Sequence, residues 1–218
     1  MNSRRVVHLV DDEEAIRKSA GFLLRAAGYE VVAYESGPHF LEAVIDARPG
    51  VVLLDVRMPE IGGLEVQRLM NEGGIALPVI ALTGHGDVPI AVQAMKQGAI
   101  DFLEKPFEKA QLLRSLDVAF DELAKRRSLV DAAKDAATRL AALTPREQEV
   151  LNGLVRGLPN KAIAYDLGIS PRTVEVHRAN LMFKLDARSL PEVLRLVFVA
   201  GEVPLSGELR ISKATQRQ

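Results

Sequence analysis

Five short apolar runs, each followed by a helix-like stretch, constrain this chain more than any other feature. They are VVHLV (6–10), EVVAY (30–34), VVLLD (51–55), PVIAL (78–82) and IDFLE (100–104). Amphipathic or helix-forming segments follow at Glu13–Ala27, at Ser36–Ala47 with Ser36 placed to cap, at 64–71, at 88–97 and from about Glu108. Uninterrupted apolar runs, as opposed to alternating ones, belong to strands covered on both faces. Parallel neighbours need a crossover connection, so this alternation predicts an α/β fold: a doubly wound, five-stranded parallel sheet.

In such sheets chemistry gathers just beyond the carboxyl ends of the strands. Reading those ends in order gives Asp11 and Asp12, then Asp55, then Thr83, then Lys105 with Pro106. One such carboxylate alone reads as a helix cap. Three together repel one another, and a hard divalent cation resolves the crowding. Mg²⁺ takes oxygen ligands and binds through one or two carboxylates, water and a phosphate. Asp12 and Asp55 are the expected direct ligands, with Asp11 acting through water and the Arg57 carbonyl completing the set. Asp55 then becomes a nucleophile toward phosphorus, forming an aspartyl phosphate. Lys105 and Thr83 are placed to hold phosphoryl oxygens as charge develops.

The two halves differ in charge. Residues 1–124 hold 12 Lys+Arg against 19 Asp+Glu, a net of −7, and residues 125–218 hold 16 against 10, a net of +6. The basic half is a candidate for meeting nucleic acid. From Glu108 to about Arg139 there is no Pro or Gly, which predicts one long helix or a helix broken near KRRS (125–128). Residues 125–140 read as a solvated helical linker; Leu129 and a line of Ala are a thin seam for a coiled coil. Further on, LTPREQEVLNGLVRG (143–157) opens with a capping box, Thr144 to Glu147, with Pro145 at the first helical position. Asn160 is placed to cap a second helix, and Ser170 with Pro171 starts a third that runs to about Leu185. A short helix, a Gly turn and a longer helix make a helix-turn-helix. A last helix spans about Leu190 to Ala200.

On the third helix Val174, Leu181 and Leu185 point to a core. Arg172, Glu175, Val176 and Ala179 share the opposite face, where a recognition helix meets base edges. Arg172, Arg178, Lys161 and Lys184 are placed for phosphates, with Asn160 and Thr173 beside them. Glu175 reads either as a solvated side chain or as an acceptor for cytosine N4. His177 reads as a packing or capping residue.

LVDDEE, LLDVRMP, ALTGHGDV and FLEKPF together resemble a response-regulator receiver domain over residues 1–124. LTPREQEVL, GLPNKAIAYDLGIS and TVEVHRANLMFKL are similar to the LuxR-type helix-turn-helix of the NarL/FixJ regulators over 141–200, and the combination looks most like the FixJ-type subgroup. The resemblance implies a flavodoxin-like receiver and phosphoryl transfer from a sensor histidine kinase to Asp55. It also implies a switch made by Thr83 and the aromatic position 102, and a dimeric regulator of transcription acting on double-stranded DNA, with RNA polymerase a further partner. The family often has Tyr where Phe102 stands, and Phe cannot hydrogen-bond when turned outward.

On the fourth helix Val88, Ala91, Val92 and Met95 form the expected inward stripe. Ile90 and Ala94 lie off it, either as the face on which phosphorylated receivers pair or as ordinary exposed residues. At rest, the acidic receiver is expected to lie against or near the basic half and keep it from pairing. Two rival readings remain open: a phosphatase, although Arg57 stands where an acid/base Asp would be needed, and a DNA-binding protein indifferent to phosphorylation. With no Cys there are no disulfides and no thiol chemistry. MNSRR opens no signal peptide, no apolar run nears the roughly 20 residues that span a bilayer, and a cytoplasmic protein is expected. Residues 201–218 read as a disordered tail.

Overall fold

The computed structural model describes residues 5–84 and 88–202. The tail assignment therefore falls almost wholly outside the described residues. The chain divides into two compact units, at residues 126/127.

In the first unit β1 (Val6–Val10), β2 (Glu30–Tyr34), β3 (Val51–Asp55), β4 (Val79–Thr83) and β5 (Asp101–Glu104) form one sheet. The strand order is β2-β1-β3-β4-β5 and every pair is parallel. The helices α1 (Glu14–Ala26), α2 (Gly37–Val44), α3 (Gly63–Glu72), α4 (Val88–Lys96) and α5 (Lys109–Ala141) alternate with the strands. Strands β1, β3 and β4 are buried throughout, as their unbroken apolar runs require, whereas the edge strands β2 and β5 are partly open. One core layer joins Leu9, Leu53, Ile80 and Leu103 to Leu24 of α1 and to Leu112 and Leu116 of α5. The other packs Val52 and Leu54 against Phe40 of α2 and Val66 and Met70 of α3. Ser36 caps α2 as expected, its hydroxyl accepting from the His39 N–H at 3.3 Å.

Helix α4 buries Ala91 as expected but otherwise overturns the expected orientation. Ala94 is fully buried, and Ile90 packs partly buried with Val56, Ala81 and Ala99. Val88, Val92 and Met95 face outward instead, Val88 being 69% exposed. Ala91 and Ala94 are buried against the sheet with Ile90 beside them on Val56 and Ala99, which leaves Val88, Val92 and Met95 outside. Two amides on α3 hold the carboxyl end of α4. Gln67 donates to the Ala94 carbonyl at 3.2 Å and Asn71 to that of Gln97 at 3.0 Å.

Helix α5 is continuous over 33 residues, and the boundary between the units falls inside it. Its second part belongs to the second unit, with α6 (Pro145–Val155), α7 (Asn160–Leu167), α8 (Pro171–Lys184) and α9 (Leu190–Glu202). Residues Ala133, Ala136 and Ala137 are buried there, and Arg139 donates to the Leu185 carbonyl at 3.4 Å. The end of the linker is thus packed, contrary to the expected solvated connector. Alanine made it look like plain helix former, while its small size is what allows close packing. The second core gathers Val150, Leu151 and Leu154 of α6, Ile163 of α7, Val174 and Leu181 of α8, and Val193 of α9.

Candidate functional site

The crevice at the carboxyl ends of β1 and β3 is where the strand order reverses, the position at which such sheets bind ligands. Asp11 leaves β1 fully buried, and its Oδ1 accepts from the Glu13 N–H at 2.9 Å. Arg17 donates to the Asp11 carbonyl at 2.7 Å, fixing the turn from below. Asp55 ends β3 buried, its Oδ1 accepting from the Arg57 N–H at 3.3 Å. The two glycines of PEIGG let α3 begin directly on that strand end. A Cβ at Gly63 would stand 2.2 Å from the Asp55 carbonyl oxygen, so no other residue fits there.

Lys105 follows β5 directly and is joined to Pro106 by a cis bond, and its backbone N–H donates to the Thr83 carbonyl at 2.8 Å. Its ammonium lies 2.7 Å from Asp11 Oδ2, 2.9 Å from Asp55 Oδ2 and 3.9 Å from Glu13 Oε1. Burial alone would lower the lysine's pKa, but the bonds to Asp11 and Asp55 outweigh it and raise it. For Asp55, burial pushes the carboxyl above its usual range, against the pull of Lys105 and with help from the charge on Asp11. One ammonium is therefore shared among carboxylates that exceed it in charge. Asp12 is exposed beside them, and Asp11, Asp12 and Asp55 each offer an oxygen within 4.8 Å of the others. An all-oxygen, negatively charged set of this kind fits Mg²⁺.

Thr83 is buried at the end of β4, and its hydroxyl donates to the Leu103 carbonyl at 3.4 Å. Phe102 sits outward on β5, 44% exposed. The structure therefore brings Asp11, Asp12, Asp55, Thr83 and Lys105 to one end of the sheet, with Arg57 at its rim and Phe102 on the outer face. Sequence reasoning missed Glu13, whose signal was its place in the acidic run.

The second unit carries the helix-turn-helix. Thr144 and Glu147 form the expected capping box. Asn160, by contrast, is the first residue of α7, whose N-cap is Pro159; the Asn160 side chain accepts from Arg178 at 3.4 Å. A proline with extended backbone starts that helix, leaving the amide free to tie it to α8. Gly168 turns the chain at φ +64° and Ser170 caps α8, accepting from the Thr173 N–H at 3.1 Å. Arg172, Glu175, Val176 and Ala179 are exposed along α8, opposite the buried Val174 and Leu181. Arg172 lies 3.9 Å from Glu175 on that face. Lys161 is exposed on α7 and Arg178 half-buried on α8. Lys184 turns back to the buried Glu147, at 2.8 Å. That pairing, with the bond from the Thr144 N–H, holds the Glu147 pKa down to about 2. Sequence reasoning also passed over Phe183, which stands 87% exposed on α8.

A doubly wound receiver with an acidic pocket, joined to a helix-turn-helix, defines a response regulator. The chain matches the response regulator receiver domain over residues 7–117 and the bacterial regulatory proteins of the luxR family over 141–197, and it belongs to that combined family of phosphorylation-controlled transcription regulators. It is 49% identical over 198 residues to transcriptional regulatory protein FixJ of Rhizobium meliloti (strain 1021), covering 91% of this chain and 97% of that one. It is 39% identical to response regulator protein TodT of Pseudomonas putida (strain F1), over 88% and 84% of the two chains. Among solved structures it is similar to full-length FixJ from B. japonicum, at 43% identity and a TM-score of 0.58, covering 93% and 100% of the chains. The family is one of regulators and not of enzymes. Its receiver partners a histidine kinase, binds Mg²⁺ at the acidic pocket, and controls a DNA-binding domain. Among the described residues no helix is long and apolar enough to cross a membrane.

Proposed function

We propose that Asp55 is the phosphoacceptor through which a sensor histidine kinase controls this chain's pairing and its sequence-specific binding to DNA. An Asp55 carboxylate oxygen attacks the phosphorus of a phosphohistidine. The P–N bond breaks as the O–P bond forms, and the imidazole leaves and recovers a proton. Asp12 and Asp55 would hold Mg²⁺ directly, with Asp11 behind a water and the Arg57 carbonyl completing the set. The ion supplies charge neutralisation to the transferring group. Lys105 leaves its bridge between Asp11 and Asp55 for a phosphoryl oxygen. Thr83 exchanges the Leu103 carbonyl for another phosphoryl oxygen, and the face formed by α4 and β5 repacks. The observation that carries this reading is the Lys105 ammonium within 3 Å of both buried carboxylates, at the sheet's switch point.

The pairing face we assign is the outer side of α4. Val88, Val92 and Met95 share it at spacings of four and seven, with Phe102 outward on the neighbouring strand. Paired receivers bring two α8 helices to half-sites about one helical turn apart. Arg172, Glu175, Val176 and Ala179 then face base edges, while Asn160, Lys161, Thr173 and Arg178 reach phosphates. Lys184 is left to Glu147. We place the protein in the cytoplasm, with RNA polymerase as its downstream partner.

Labelled acetyl phosphate with Mg²⁺ tests the reading on the full chain. The wild type should take up label, sediment as a dimer and bind DNA more tightly, whereas Asp55→Asn should do none of these. Label on Asp55→Asn, or a labelled chain that stays monomeric and binds DNA no better, would overturn it.

A further inference from the structure

The recognition face of α8 extends further than its polar residues. At 100° per residue, Phe183 projects within about 40° of Arg172, Val176 and Ala179, at the centre of the stripe they form. It lies eleven residues beyond Arg172, about 16 Å along the axis. It is 87% exposed, while its neighbours Leu181 and Leu185 are fully buried and Lys184 is held by Glu147. The core of the second unit therefore makes no use of this ring. Tyr165 and Phe22 are exposed to a similar degree, so it is the ring's place on the stripe that joins it to whatever docks there.

Building on the reading of α8 as the recognition helix, we propose that Phe183 is a specificity-determining residue that contacts a thymine methyl group at the outer edge of each half-site. The ring continues the face that Arg172 and Val176 present to DNA. It has no donor or acceptor, so it cannot read a hydrogen-bonding edge. The apolar mark on the floor of the major groove is the C5-methyl of thymine, and Phe is among the side chains that recognise it. A groove about 12 Å wide admits the helix lengthwise, which brings a residue three turns from Arg172 over a base pair several steps away. Polar residues at the amino end of the helix thus set one part of the half-site, and this ring sets another.

The test uses a duplex selected from a random pool by the phosphorylated full chain. Affinity is measured for the wild type, Arg172→Ala and Phe183→Ala, on the selected duplex and on copies with each thymine replaced in turn by deoxyuridine. Phe183→Ala should unfold at the wild-type temperature and bind about fourfold more weakly, the scale set by one buried methyl group. At one thymine, removing the methyl should weaken the wild type by that same factor and leave Phe183→Ala unchanged. No thymine showing this coupling, or a selected half-site without thymine, overturns the inference. So does Phe183→Ala lowering self-association without DNA, which would make the ring a contact between copies. Arg172→Ala binding as tightly as wild type would instead overturn the reading of α8 itself.

Discussion

Lys105 serves three carboxylates, and Lys184 serves one. In the receiver, the ammonium lies within 4 Å of Asp11, Glu13 and Asp55, with Asp12 close by. In the second unit, Lys184 and the Thr144 N–H both donate to Glu147, at 2.8 Å each, and the carboxylate is held charged. The first arrangement buries more negative charge than it neutralises and is relieved by a cation or by moving a group. The second is balanced and gains nothing by changing. A buried ionisable cluster that fails to balance marks the place where a ligand enters, and a balanced one marks a strap.

The most severe test of that contrast is Lys105→Met. Without the ammonium, Asp11 and Asp55 face each other buried, and the receiver should lose roughly 3 kcal/mol in EDTA. Added Mg²⁺ should then raise its unfolding temperature by more than in the wild type, since ion and ammonium compete for the same oxygens. An equal rise in both would break the comparison. Glu147→Ala should have a smaller effect, about 2 kcal/mol from the second unit's unfolding transition, through loss of a cap and a charge-assisted hydrogen bond. It should leave the response of the receiver to Mg²⁺ unchanged.

The smallest effect is a difference in sign with pH. Glu147 has a folded pKa of about 2, below the carboxylate's usual 4.5, so its contribution is present above the usual value and fades as pH falls toward 2. Glu147→Gln should remove that slope. Asp55 is raised, so in EDTA its contribution is present at low pH and is lost as pH rises through its folded pKa. Calorimetry of the full chain between pH 3 and pH 7, with the wild type set against Glu147→Gln and against Asp55→Asn, should show stability differences whose slopes have opposite sign.

The sheet was legible because β1, β3 and β4 are covered on both faces and carry uninterrupted apolar runs. The convergence of Asp11, Asp55, Thr83 and Lys105 followed from strand ends alone, since a parallel sheet puts them all at one edge. Helix α4 was not legible. An apolar count cannot say which side of a short helix with apolar residues on every face meets its neighbour, and here Ala94 and Ile90 went inward with Ala91. Asn160 was misplaced for a related reason: a polar side chain near a helix start reads as a cap until a partner such as Arg178 is seen across the motif. The packed Ala133, Ala136 and Ala137 escaped because alanine carries a weak burial signal.

The place where α3 begins has a consequence for anyone altering this protein. With Gly63 seated on the Asp55 backbone, even a single added methyl must push back the main chain that carries the carboxylate proposed as phosphoacceptor. A variant at this position should therefore lose receiver stability together with the alignment proposed for Asp55.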